Sequence, residues 1–254
     1  MAKTRTLHAI GNAHIDPVWL WQWPEGLETI RATFRSALDL MNEYPDFVFT
    51  CSSSAFYALA EAVEPDMIDE IRQRVEEGRW ELVGGWWVEP DVNIPSGESL
   101  VRQGLYGQRY LLSRFGQMAT VGYNPDTFGH PATLPQILRS LGLTRYVFMR
   151  PGTHEKTLPG HVFRWGSPDR SEVLALRIAR SYATWPKDVE EHVHACANEA
   201  PGYLSDYAVF YGVGNHGGGP TRANIESLKG MSRVEGGFAV QLSGVGSLFA
   251  NVEA

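Results

Sequence analysis

In Gly11-Asn12-Ala13-His14-Ile15-Asp16-Pro17-Val18-Trp19, an imidazole and a carboxylate stand two residues apart, followed by a rigid proline and an indole. The stretch follows an expected strand over residues 5–10, and in extended chain residues i and i+2 point the same way. His14 and Asp16 are therefore expected to converge on one point, where a mixed nitrogen and oxygen pair suits a zinc ion. Trp19 offers a flat apolar face beside that point. A metal next to an aromatic platform is the kind of site that holds a sugar. The same residues also fit a strand-end turn with a capping aspartate and a core tryptophan.

A second segment is Gly122-Tyr123-Asn124-Pro125-Asp126-Thr127-Phe128-Gly129-His130. Asp126 sits between turn formers, so it is expected to project from a fixed loop. It could complete a metal site with His14 and Asp16, attack carbon as a nucleophile, or cap a helix ahead of Leu134. His130 is read as structural, or as a partner that orients a metal-bound carboxylate. The third segment is Tyr211-Gly212-Val213-Gly214-Asn215-His216-Gly217-Gly218-Gly219-Pro220-Thr221. It lacks the Lys-Ser/Thr ending of a phosphate loop. Its glycines let backbone approach a ligand closely, and His216 could donate protons or bind hydroxyls. A merely flexible loop fits the same letters.

Alternating strand and helix signals must position these segments. Strands are expected at 5–10, 47–50, 80–83, 120–123, 146–149, 207–211 and 238–242, with an inserted hairpin from 162–165 and 173–178. Leu27, Ile30, Phe34, Leu38 and Met41 recur at helical spacing. Further helices are expected through Phe56, Leu59 and Val63, through Ile68, Ile71 and Val75 to a stop at Gly78, from Ser99 to Phe115 with Gly116 beyond, through Leu134 to Leu141 before Gly142, near 189–197, and near Ile225. About seven βα units result, and repeated β-helix-β order implies a parallel sheet with helices outside it. The expected fold class is α/β, a seven-stranded parallel βα barrel in one domain over residues 1–254, with a doubly wound open sheet as the alternative. His14 and Asp16, the group Trp86, Trp87, Glu89 and Asp91, then Asp126, Arg150 and His216 all follow strand ends. That is the catalytic face of a barrel and the ligand edge of an open sheet.

The 254 residues are 43% hydrophobic and 20% charged, ordinary for a globular chain with a sizeable core. A net charge of −7 without a basic run gives nothing to attract nucleic acid. Eight Trp and ten Tyr fit a core or a sugar-stacking cleft. Cys51 and Cys196 match no ligand spacing and no disulfide framework. No uncharged apolar run approaches the ~18 residues of a membrane span. The N-terminus leads directly into a strand without a signal-peptide core, so the expected compartment is the cytoplasm.

His14-Ile15-Asp16-Pro17-Val18-Trp19, Asp126-Thr127-Phe128-Gly129-His130 and Gly214-Asn215-His216-Gly217-Gly218-Gly219-Pro220-Thr221, in this order, resemble the N-terminal domain of glycoside hydrolase family 38 α-mannosidases. Gly84-Gly85-Trp86-Trp87-Val88-Glu89-Pro90-Asp91 and Leu134-Pro135-Gln136-Ile137-Leu138 agree as well. The ordered set covers nearly the whole chain. The resemblance implies a seven-stranded barrel and a retaining, zinc-dependent exo-mannosidase acting on terminal α-mannosyl residues. It implies that His14 and Asp16 are zinc ligands and that Asp126 is both zinc ligand and catalytic nucleophile. It further implies that Trp19 stacks under the mannose, that Phe128 shapes the pocket and that Arg150 steers Asp126. The family's acid is an aspartate near the glycine-rich loop, where this chain reads Asn215-His216, so His216 is the expected acid/base or substrate contact.

Family members continue with helical-bundle and β-sandwich domains and take a fourth zinc ligand from a later histidine segment. This sequence has no such segment, so it is expected to be a truncated member. Two other readings stay open: a metal-dependent carbohydrate deacetylase, with Asp126 as base toward metal-bound water, and an inactive sugar-binding remnant. Expected partners are an α-mannoside, neither nucleic acid nor membrane, with a homo-oligomer left open.

Overall fold

The computed structural model describes residues 5–214, 217–231 and 233–253. Along the chain run β1 (Arg5–Ala13), α1 (Trp23–Glu43), β2 (Phe49–Cys51), α2 (Ser54–Val63), α3 (Pro65–Glu76) and β3 (Trp80–Leu82). Next come α4 (Gly97–Phe115), β4 (Val121–Asn124), α5 (Leu134–Ser140), β5 (Arg145–Phe148), β6 (Val162–Gly166) and β7 (Glu172–Arg177). The last are α6 (Val189–Glu199), β8 (Asp206–Tyr211), α7 (Arg222–Gly230), β9 (Phe238–Ser243) and α8 (Val245–Glu253). The order is that of an α/β fold with parallel sheets. Among the described residues no helix is long and apolar enough to cross a membrane.

Two compact units emerge. One comprises the chain up to Thr50, Glu76–Glu81 and everything from Ser181 onward. Its sheet runs β3-β2-β1-β8, and β9 also pairs with β1. Both β8 and β9 lie parallel to β1, with Ile10 opposite Phe210 and Ser243. Leu7, Ala9 and Ile10 are fully buried, the near-continuous apolar run of a strand covered on both faces. In α1, Ile30, Phe34, Ala37, Leu38 and Met41 share the buried face. Phe34 and Phe49 both meet Trp80 edge to face, at 5.2 and 4.8 Å.

One polar network crosses this core. His8 of β1 is buried, with Nε2 3.0 Å from Asp206 Oδ1 and Nδ1 2.9 Å from Ser243 Oγ. It thus ties β1 to the first residue of β8 and the last of β9. Asn251 of α8 donates to the same Asp206 carboxylate at 3.0 Å. The Glu81 carboxylate accepts from the Thr50 hydroxyl and from the Val245 and Gly246 N–H groups, satisfying the start of α8.

The second unit comprises Cys51–Val75 and Leu82–Arg180. Its sheet runs β4-β5-β7-β6, with β5 parallel to β4 and β7 and only β6 antiparallel. The expected hairpin exists, but its second strand is not an insertion. Val173, Ala175 and Leu176 of β7 are buried, which makes it a full sheet member beside β5. In α4, Ser96 Oγ accepts the Ser99 N–H, and the helix stops at Gly116 in the left-handed region (φ 71°).

Candidate functional site

In the first unit, buried β1 delivers His14 and Asp16 at its carboxyl end. His14 is 7% exposed and the Asp16 side chain 37%. His14 Nε2 lies 3.4 Å from Asp16 Oδ1. That is longer than an optimal hydrogen bond. It matches the roughly 3.3 Å separating two ligands on a tetrahedral ion with bonds of about 2.0–2.1 Å. The donor pair thus fits a zinc ion by chemistry and by spacing. Among the described residues no group of three or more His, Cys, Asp or Glu is placed to hold a metal.

The turn after His14 is fixed. The Trp21 indole donates to the Asp16 carbonyl at 2.8 Å, and Trp19 packs edge to face on Trp21 at 5.4 Å. Trp19 remains 62% exposed, available as a platform. Tyr182 meets the His14 ring edge-on at 5.2 Å. Asn12, buried just before, donates from Nδ2 to the Tyr182 carbonyl (2.8 Å) and the Tyr211 carbonyl (3.1 Å). One amide therefore fixes the segment bearing Tyr182 and the end of β8 beside the His14 strand. The glycine-rich loop follows β8 and folds on itself through Val213 N–H to Gly219 O and Gly214 N–H to Gly218 O. Gly212 (φ 142°) comes so near the Asn12 carbonyl that a Cβ would lie 2.2 Å from its oxygen. At this glycine the close approach is to the protein's own backbone. Asn215 and His216 lie outside the described residues.

The second unit carries Asp126, Phe128, His130 and Arg150. Asp126 follows β4 and forms an ion pair with Arg150, which follows β5. The Arg150 guanidinium also lies over the Phe128 ring, 4.9 Å from its centroid, and Phe128 is 71% exposed. The Asp126 N–H donates to Glu89 Oε1 at 3.1 Å. Asn124, the last residue of β4, accepts the Trp86 indole N–H (2.9 Å) and donates to the Pro90 carbonyl (3.3 Å). Of the two readings for His130, the structural one fits. Its Nε2 shares a 3.0 Å hydrogen bond with the Tyr146 hydroxyl, and Phe148 and Trp165 pack against its ring. Burial pushes the imidazole down to about 4, so it is neutral near pH 7.

The sequence puts Glu89 at a strand end without a role, and Asn12, Asn124 and Tyr182 give no chemical signal. Small polar residues acting through main-chain partners carry no spacing motif.

The chain matches the description "Glycosyl hydrolases family 38 N-terminal domain" over residues 4–254. It belongs to this family. Human alpha-mannosidase 2C1 is 36% identical over 98% of the chain, and the alpha-mannosidase of Saccharomyces cerevisiae is 30% identical over 88%. The chain spans 24% and 21% of those two relatives. An alpha-mannosidase from Enterococcus faecalis V583 superposes with a TM-score of 0.82 over 98% of this chain and 29% of its own, at 19% identity. A candidate polysaccharide deacetylase from Mycobacterium smegmatis gives 0.67 over 100% of this chain and 92% of its own, at 12% identity. At such identities the likeness is one of fold. The family 38 match therefore sets this chain apart from the deacetylases that share its architecture.

Proposed function

We propose that this chain is the N-terminal catalytic portion of a retaining exo-α-mannosidase that removes terminal α-mannosyl residues. The observation that carries the reading is the family 38 match along residues 4–254, with relatives named alpha-mannosidases. Closure of the strands into a seven-membered barrel and a cytoplasmic location belong to the same proposal.

In this reading His14, Asp16 and Asp126 would hold one zinc ion, although the described residues do not by themselves place three such groups around a metal. When bound, it supplies fixation of sugar hydroxyls and stabilisation of charge in the oxocarbenium-like transition state. Trp19 stacks on the sugar, and Phe128 borders it. Asp126, oriented by Arg150, attacks the anomeric carbon. The bond to the aglycone oxygen breaks as the Asp126 ester forms, and His216 gives a proton to the departing oxygen. Water then attacks the same carbon, His216 takes its proton, and mannose leaves with retained configuration.

A 2-deoxy-2-fluoro or 5-fluoro mannosyl fluoride tests this. Mass spectrometry of the digest should place the adduct on Asp126, and Asp126→Asn should remain folded and unlabelled. An adduct elsewhere, or none in a preparation that cleaves nitrophenyl mannoside, refutes the assignment. Cleavage of an acetamide with the glycosidic bond untouched would favour a deacetylase.

A further inference from the structure

We propose that Glu89 is the positioning residue of the Asp126 loop: it holds the Asp126 N–H and so sets the direction in which that carboxylate is presented. The link to catalysis rests on the function proposed above; the hydrogen bond itself does not.

The backbone that carries Glu89 is itself held in place. The first N–H groups of α2, those of Ser54 and Ala55, donate to the carbonyls of Trp86 and Trp87 at 3.0 and 2.8 Å. The Trp87 N–H donates to the Gln103 carbonyl and the Val88 N–H to Gln103 Oε1, both at 2.9 Å. The Glu89 N–H itself donates to Ser53 Oγ at 3.0 Å. Ser53 holds a left-handed conformation (φ 71°), which a non-glycine residue keeps only where its surroundings over-determine it. On the far side, Asn124 clamps Trp86 and Pro90. Glu89 is therefore bracketed by fixed residues before and after it.

From that frame Glu89 Oε1 receives the Asp126 N–H. Satisfying a main-chain donor needs only a neutral acceptor. A carboxylate here brings a second negative charge toward Asp126, which Arg150 offsets through its ion pair. The backbone of Asp126 is held from the Glu89 side and its carboxylate from the Arg150 side. Such two-point support is what a nucleophile must have to keep its angle of attack.

The test compares the full chain with Glu89→Gln, Glu89→Ala and Ser53→Ala. Amide proton exchange at Asp126, read by NMR, should accelerate about tenfold or more in Glu89→Ala. The β4 amides of Val121 and Tyr123 serve as internal controls and should not change. Glu89→Gln keeps an acceptor oxygen and should stay within about threefold of the parent. Ser53→Ala frees the Glu89 backbone and should fall between, which decides the matter if Glu89→Ala does not fold. Unchanged Asp126 exchange in Glu89→Ala and Ser53→Ala, or Glu89→Gln as fast as Glu89→Ala, overturns the proposal. In the chemical arm, the rate of fluoroglycoside labelling at Asp126 should fall about 10–100-fold in Glu89→Ala, with the half-saturating concentration nearly constant and recovery in Glu89→Gln. A parent that is not labelled at Asp126 counts against the mannosidase reading, while amide exchange still decides the role of Glu89.

Discussion

Acid should expose His130. Its ring is enclosed by Phe148, Trp165 and Tyr146, and burial lowers its pKa from 6.5 to about 4. Tyr146, its hydrogen-bond partner, is pushed well above its ordinary value and stays neutral throughout the acid range. The unfolded chain takes up the histidine proton below pH 6.5, whereas the folded chain resists until about 4. Folding is thus unaffected by this group above pH 6.5. It is progressively disfavoured as pH falls to about 4 and levels off below. A shift of that size corresponds to about 3 kcal/mol. Urea unfolding at a series of pH values measures it, provided the dependence on urea stays constant. Carboxylates also titrate in this window, so the decisive quantity is the difference between the parent and a variant without the ring. His130→Phe alone strands the Tyr146 hydroxyl, at about 1–3 kcal/mol. The double variant His130→Phe, Tyr146→Phe removes both partners and should flatten the curve between pH 6.5 and 4. Parallel curves for parent and double variant would mean that His130 titrates normally and that its enclosure has been misjudged.

Arg150→Gln removes the cation beside Asp126 and should slow fluoroglycoside labelling about 100-fold, measured by timed mass spectrometry. His14→Ala should weaken zinc binding at least about tenfold by competitive chelator titration, with the unfolding midpoint in metal-free buffer nearly unchanged. Gly107→Ala would ordinarily favour a helix. Here its Cβ would lie 2.4 Å from the Gly85 carbonyl oxygen, so a loss of about 1–3 kcal/mol is expected in urea unfolding. His8→Ala breaks the buried link to Asp206 and Ser243 and should cost about 1–3 kcal/mol by the same measurement.

Much of the architecture could be read from hydrophobic spacing and from glycine stops. The α1 face through Ile30, Phe34 and Leu38, the end of α4 at Gly116 and the hairpin of β6 with β7 all follow from local chemistry. The pairing of β7 with β5 did not, because an alternating strand in a hairpin looks the same whether its other edge is free or paired. α8 was also missed. Its start is stabilised by the Glu81 carboxylate, more than 160 positions away in the chain, so no local cap announces it. At the candidate site, the proximity of His14 and Asp16 follows from spacing of two in extended chain. Glu89 shows the limit. Its grip on Asp126 depends on how Ser53, Gln103 and Asn124 set one loop, and those contacts span dozens of residues.

Asn12 is an amide the fold protects, because burial in an extended strand disfavours the backbone cyclisation that deamidation needs. Its amide nitrogen donates to two main-chain carbonyls, those of Tyr182 and Tyr211, inside a buried strand. Without that protection, deamidation would replace the double donor with an anionic acceptor aimed at two oxygens. A one-dalton lesion at this position would therefore prise apart the scaffold beside His14 while leaving every candidate reactive side chain chemically intact.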